Sequence, residues 1–155
     1  MAAQFATEAG DGPMDNALWR YALSVYSRPG VESLLLRLQD EHGEDILLIL
    51  AALWLAENQQ ELTESALVLP EYIAWRDGMI RPVRQQRRLC EGPEQRELYE
   101  LLKKAELEAE RYGLGLLWSA LKDCEAASDV CGMNNLVLCC SSDKECSELI
   151  RLAGL

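Results

Sequence analysis

Only one phenylalanine, one histidine and five prolines occur among the 155 residues, and each scarcity narrows what the chain can be. With a single imidazole, His42, a histidine-built metal centre has no material. A Ser-His-acid triad would have to recruit that one ring, without the G-x-S-x-G turn that presents the nucleophile in the α/β-hydrolase arrangement. Basic residues are also few: 15 Lys and Arg stand against 26 Asp and Glu, a net charge of −11. That balance argues against nucleic acid or an anionic membrane as partner, since both require a cationic surface. There is no P-loop, no G-x-G-x-x-G and no C-x-x-C. The opening MAAQFATEAGDGP lacks the basic and apolar segments of a secretory signal. Six cysteines in such a chain read as thiols rather than as a disulfide framework, and a cytoplasmic location is expected.

What is present favours helices. Apolar residues make up 49% and charged residues 26%, with Leu, Ala, Glu and Arg prominent and β-branched residues few. The longest apolar run is Ile46–Ala56, eleven residues without a polar face. It is far short of the roughly 20 that a membrane span requires, and a helix apolar all round must be buried all round. The fold class expected is therefore all-α: a compact bundle of five or six helices around a central helix over 46–57. A lead-in over 1–13, a helical domain over 14–122 and a cysteine-rich C-terminal extension over 123–155 divide the chain.

Local signals place the other helices. Asp15 is the expected N-cap of a first helix carrying Leu18, Trp19, Ala22, Leu23 and Tyr26, which Pro29-Gly30 ends. Val31, Leu34, Leu35 and Leu38 mark a second helix, with Gly43 where a left-handed C-cap glycine belongs and Asp45 able to cap the helix that follows. A short helix is expected over 62–69. Pro70 suits the first position of a helix that runs into Pro82, where a kink or break is expected. From about Glu94 the periodicity of Leu98, Leu101, Leu102, Ala105, Ala109 and Tyr112 predicts a helix lying on the core by that face. Gly113 and Gly115 are expected to interrupt it. Leu136–Cys140 reads as extended and Asp143–Leu152 as a last short helix.

Three constellations bear on chemistry. Arg76–Arg88 holds five arginines and one aspartate, while Glu91–Glu110 holds seven acids and three bases. Two such helices joined by a short turn predict an antiparallel pair laced by Arg–carboxylate bonds; a pocket for a phosphate or carboxylate and a docking patch for an acidic partner are the functional readings. Glu106 and Glu110, four apart, point the same way, but a di-metal site would need two Glu-x-x-His pairs, so no metal is expected. The acidic turn Asp40-Glu41-His42-Gly43-Glu44-Asp45 is explained as helix punctuation at Gly43, Glu44 and Asp45, and less fully at Gln39, Asp40 and His42. The tail cysteines Cys124, Cys131, Cys139, Cys140 and Cys146 have no zinc-ribbon spacing and read as unpaired thiols on a peripheral extension.

The stretches ALWRYALSVYSRPGVESLLLRLQDEHGEDILLILAALWLA (17–56), WRDGMIRPVRQQRRL (75–89) and KKAELEAERY (103–112) resemble a family of uncharacterised proteobacterial proteins of similar length, defined by sequence and not by activity. The resemblance spans about 17–121, and its Y-x-R-P-G-V, L-Q-D-x-H-G and P-x-R-x-x-R-R elements carry it. It implies a small bacterial cytoplasmic protein and supplies no activity, cofactor or partner.

Two functional classes follow. One is a non-enzymatic binding or regulatory protein whose partner is another protein, with no cofactor. The other is a small-molecule-binding protein or enzyme whose pocket gathers Gln39, Asp40 and His42 with Arg84, Arg88, Glu106 and Glu110. The two differ in geometry: the pocket reading fails if the Asp40–His42 turn lies far from Arg84 and Glu106, or if every one of these groups is exposed or paired within the chain.

Overall fold

In a computed structural model, residues 11–127 and 132–155 are described, and within them the all-α expectation holds, with no strand. Of the expected lead-in, residues 1–10 lie outside the described residues, as does Cys131. The helices are α1 (Ala17–Tyr26), α2 (Val31–His42), α3 (Ile46–Glu57), α4 (Pro70–Trp75), α5 (Arg81–Arg88), α6 (Arg96–Leu121), α7 (Gly132–Leu136) and α8 (Asp143–Ala153). A π-helical turn, Arg76–Ile80, joins α4 to α5 without a gap, so the two form one rod. Counted that way, the described residues hold six helices of ten residues or more plus the five-residue α7.

The centre is α3, where nine consecutive or near-consecutive side chains from Leu47 to Ala56 are buried. Helices α1, α2, α6 and α7 all touch it. That enclosure is the physical answer to a helix with no polar face. Its start is fixed by Asp45, whose side chain accepts from the Leu48 N–H at 3.3 Å, and the preceding turn is made by Gly43 at φ +66°. Leftward φ is cheap only for glycine, which is why the α2–α3 corner can be so tight. The first N-cap differs from expectation: Asn16, not Asp15, accepts from the Trp19 N–H at 2.9 Å. Asp15 instead pairs with Arg20 at 2.9 Å.

The kink or break expected at Pro82 is instead a π-helical turn in a run without a gap. Pro82 has no N–H to continue the ladder, and the chain answers by widening the turn just before it, with the Arg81 N–H bonding back to the Arg76 carbonyl, a five-residue step. The glycines of α6, by contrast, do not interrupt it; the helix is continuous for 26 residues. They are sites of close approach. A Cβ on Gly113 would stand 2.9 Å from Ile80 Cδ1, and one on Gly115 would stand 1.9 Å from the Pro13 carbonyl oxygen.

The C-terminal residues are not peripheral. Leu136, Cys140, Cys146, Leu149 and Ala153 belong to the same hydrophobic core as α3. The 136–140 segment is a helix end and turn, not extended chain. Cys140 and Cys146 are joined as a disulfide, correcting the reading of all tail cysteines as unpaired thiols, while Cys90, Cys124 and Cys139 are free. Spacing carries no information about pairing; it is the approach of the α7 and α8 ends that brings these two sulfurs together.

Candidate functional site

The arginine rod and α6 pack closely, and their opposite charges meet as the sequence suggested. Arg84 Nε donates to Glu106 at 2.9 Å, and Arg87 Nε donates to the other oxygen of the same carboxylate. Glu106 is buried. The two guanidinium groups outweigh the cost of that burial and hold its pKa below the ordinary glutamate value. Arg87 also lies over the Tyr99 ring, 5.8 Å from its centroid, which places a cation on an aromatic face.

Next to this pairing, and sharing Arg84 with it, is a cavity of about 290 Å³. The end of α2 supplies Gln39, the α2–α3 turn supplies Glu44 and Asp45, the rod supplies Tyr72, Arg76, Arg81, Arg84, Gln85 and Arg88, and α6 supplies Glu110. The rod brings its arginines to one wall because they recur at helical spacing. Glu110 is held loosely, 3.7 Å from Arg84 Nη2. Burial and the neighbouring Glu106 carboxylate raise its pKa to about 7 against the pull of Arg84. An acid that changes charge near neutrality therefore lines a cavity otherwise rich in fixed cations.

The seven residues singled out from the sequence do not all meet. Gln39, Arg84, Arg88 and Glu110 line the cavity. Asp40 is bonded by Arg88 across from α2 to α5. Glu106 stands behind the wall, holding Arg84 and Arg87. His42 belongs elsewhere: its Nε2 is 3.2 Å from Glu145 on α8, a carboxylate that Arg37 also approaches at 3.3 Å. The imidazole therefore ties α2 to α8 and does not line the cavity.

One cluster in the wall was missed. The Asp45 carboxylate, already the α3 cap, accepts the Tyr72 hydroxyl at 2.7 Å and Arg76 Nη1 at 3.1 Å. Burial, then the adjacent carboxylate, push the Tyr72 hydroxyl well above its ordinary pKa, so it remains a donor. Capping alone accounts for an Asp before an apolar run, and Tyr72 reads as one more member of an apolar stripe, so nothing in the sequence marks the pair. Arg76 divides its guanidinium between Asp45 and Asp77, and Asp77 in turn accepts from Arg81 at 2.9 Å. Among the described residues, no group of three or more His, Cys, Asp and Glu is placed to hold a metal ion.

No curated protein and no solved structure matches the chain. A family model does: residues 17–117, from the first residue of α1 to late in α6, fit the one described as protein of unknown function DUF2390. Every residue lining the cavity falls inside that span, and the chain belongs to this family.

Proposed function

We propose that the protein is a binding protein for a small molecule bearing a phosphate or carboxylate, received in the cavity between the α2–α3 corner and the arginine rod. One observation carries the reading: Gln39 at the end of α2, three arginines one turn apart on α5 (Arg81, Arg84, Arg88) and Glu110 of α6 converge on a single cavity of about 290 Å³. Arginine forks suit planar anions because they donate two parallel hydrogen bonds. The anion's competitors are weakly placed: Glu110 is 3.7 Å from its arginine, and Asp40, which pairs with Arg88, is half exposed. A ligand anion can therefore draw Arg88 from Asp40 and Arg81 from the exposed Asp77, and can meet the Nη end of Arg84 while Arg84 Nε keeps the buried Glu106. Gln39 and Gln85 add neutral groups able to recognise a hydroxyl or amide on the ligand's body.

A thermal-shift panel of phosphate, sulfate and small dicarboxylates tests this. A ligand at 100 times its Kd stabilises the folded state by about 2.7 kcal/mol, and the Arg81→Gln and Arg88→Gln variants should blunt the response with the fold intact. An unchanged melting temperature across the panel rejects the pocket and leaves protein–protein contact as the function.

The pH dependence follows from Glu110. Its folded pKa lies above the unfolded value, so the folded state holds the proton more tightly and loses stability as pH rises from the ordinary glutamate range through about 7. Anion affinity has the same sign, because ionised Glu110 repels the ligand and occupies Arg84. Sulfate, whose charge is fixed across neutrality, should bind more tightly at pH 6 than at pH 8, and Glu110→Gln should remove the difference. A flat profile in the unaltered protein overturns the role given to Glu110.

A cytoplasmic setting belongs to the proposal as well. It drew on reading every cysteine as a thiol, and the Cys140–Cys146 pair removes two residues from that argument. Rapid acid quench and alkylation of the native host decides it. Labelling of all six cysteines supports the cytoplasm, and labelling of only the four outside the pair points to an oxidising compartment.

A further inference from the structure

Among the described residues, the face of α6 that carries the cleanest apolar periodicity in the sequence is left largely uncovered over its first half. Leu98 is 49% exposed and Leu101 65%, and Ala105 is exposed as well. Their spacing of three then four residues is the a/d pattern by which one helix seats on another. The same face becomes covered only farther along, where Ala109 is buried and Tyr112 meets Trp75. The first half of α6 thus presents a seam to solvent while its second half is built into the core.

The residues flanking the seam choose the occupant. Glu97 precedes Leu98 and Lys104 precedes Ala105, one heptad apart, so both sit at the same flanking position of the repeat. Two copies of such a helix set antiparallel, with Leu98 of each against Leu101 of the other, place Glu97 opposite Lys104 at both ends of the contact. A parallel pairing sets Leu98 against Leu98 and offers no such match. Both charged side chains are exposed, and neither makes an ion pair within the chain among the described residues. Within the segment the acid and base that an antiparallel partner needs are therefore present and unspent. We propose that this face of α6 is a docking surface for a second copy of the chain, forming an antiparallel two-fold dimer through Leu98, Leu101 and Ala105 with reciprocal Glu97–Lys104 pairs. An isologous contact of this kind closes on itself and does not propagate into a filament. The net charge of −11 per chain opposes association, so the dimer tightens as salt screens the long-range repulsion, down to the Debye length of about 8 Å at physiological ionic strength. The anion cavity draws on α6 only through Glu110, outside the seam, so dimerisation and ligand binding are separable.

Sedimentation equilibrium of the full chain at several concentrations is the test. The expected result is a species of twice the chain mass that Leu101→Glu converts to monomer, with the circular dichroism of the folded protein retained. Glu97→Lys should weaken the dimer by about tenfold or more, by setting like charges at both ends. Combining it with Lys104→Glu should restore the original affinity, since the swap re-creates both pairs. Loss of affinity in the single variant without rescue in the double overturns the antiparallel register. A chain that stays monomeric at high concentration and moderate salt overturns the proposal outright.

Discussion

Replacement of Trp54 by alanine is expected to lower the unfolding free energy by about 3–5 kcal/mol. Trp54 is 7% exposed and sits in the last full turn of α3, with Leu53 and Leu55 on either side of it wholly buried. Because the helix is enclosed by α1, α2, α6 and α7, no solvent-facing side is available into which the structure can relax. The cost is then the lost transfer of the indole from water plus the cavity left in packing of crystal-like density. The backbone at this position is secured independently, since the Trp54 carbonyl accepts the Asn58 side-chain amide at 2.8 Å, so the helix end survives the substitution. Urea unfolding followed by far-ultraviolet circular dichroism gives the measurement without relying on tryptophan emission. Leu107→Ala is the control: that side chain is 52% exposed, and its removal should cost no more than about 0.5 kcal/mol. A loss at Trp54 below about 1 kcal/mol would show α3 to be peripheral and overturn the architecture.

The central helix was legible because its signal is one-dimensional: a run with no polar face has a single physical solution. The corners were legible for a similar reason. Gly43 and Pro70 act through their own backbones, and a backbone preference can be read without knowing the neighbours. That arginines of the rod would meet carboxylates of α6 followed from opposite charge on consecutive helices, which a short connection forces together; the choice of Glu106 as the partner of Arg84 and Arg87 did not.

What failed were inferences that needed to know which residue stands opposite. The periodicity at Leu98 and Leu101 establishes an apolar face on α6, and it says nothing about whether this chain covers that face. Gly113 and Gly115 are poor helix formers by intrinsic propensity, but α6 passes through them because Ile80 and the Pro13 backbone come too close for a side chain there. His42 and Asp40 are two residues apart in sequence and point to different partners, Glu145 and Arg88, as successive positions two apart on a helix must. The Asp45–Tyr72–Arg76 cluster was hidden behind a cap that already explained the aspartate. Four residues of the cavity wall, Gln39, Arg84, Arg88 and Glu110, could therefore be named from residue types and spacing. The remainder depended on how the α2–α3 corner meets the rod.

The least legible residue of the fold has the second-largest effect expected of a single side chain. Asn135, in a five-residue helix beyond the end of the family match, is completely buried. Its Oδ1 accepts the Leu62 N–H at 2.9 Å, and its Nδ2 donates to the carbonyls of Gln60 at 3.0 Å and Ala52 at 3.2 Å. One side chain thereby satisfies the Gln60 carbonyl and the Leu62 N–H in the chain that leaves α3, and adds a further bond to the Ala52 carbonyl inside the helix. Asn135→Leu keeps the volume and removes all three bonds. The Leu62 N–H and the Gln60 carbonyl are then buried without partners, at about 1–3 kcal/mol each, so a total near 3 kcal/mol is expected. Asn135→Asp is the sharper variant. It keeps the acceptor for Leu62 and turns the donor toward the two carbonyls into a charge that they repel. Burial and that repulsion raise the new carboxyl's pKa in the folded state, so the variant loses stability as pH rises, whereas Asn135→Leu is insensitive to pH. Native-state hydrogen exchange reports the same bond directly, through a Leu62 amide protected in the unaltered protein and released by Asn135→Leu but retained at low pH by Asn135→Asp. A cost below about 1 kcal/mol for Asn135→Leu, or a Leu62 amide that exchanges freely from the start, would detach α7 from the core. The residues beyond 123 would then be an appendage after all, and the core would end with α6.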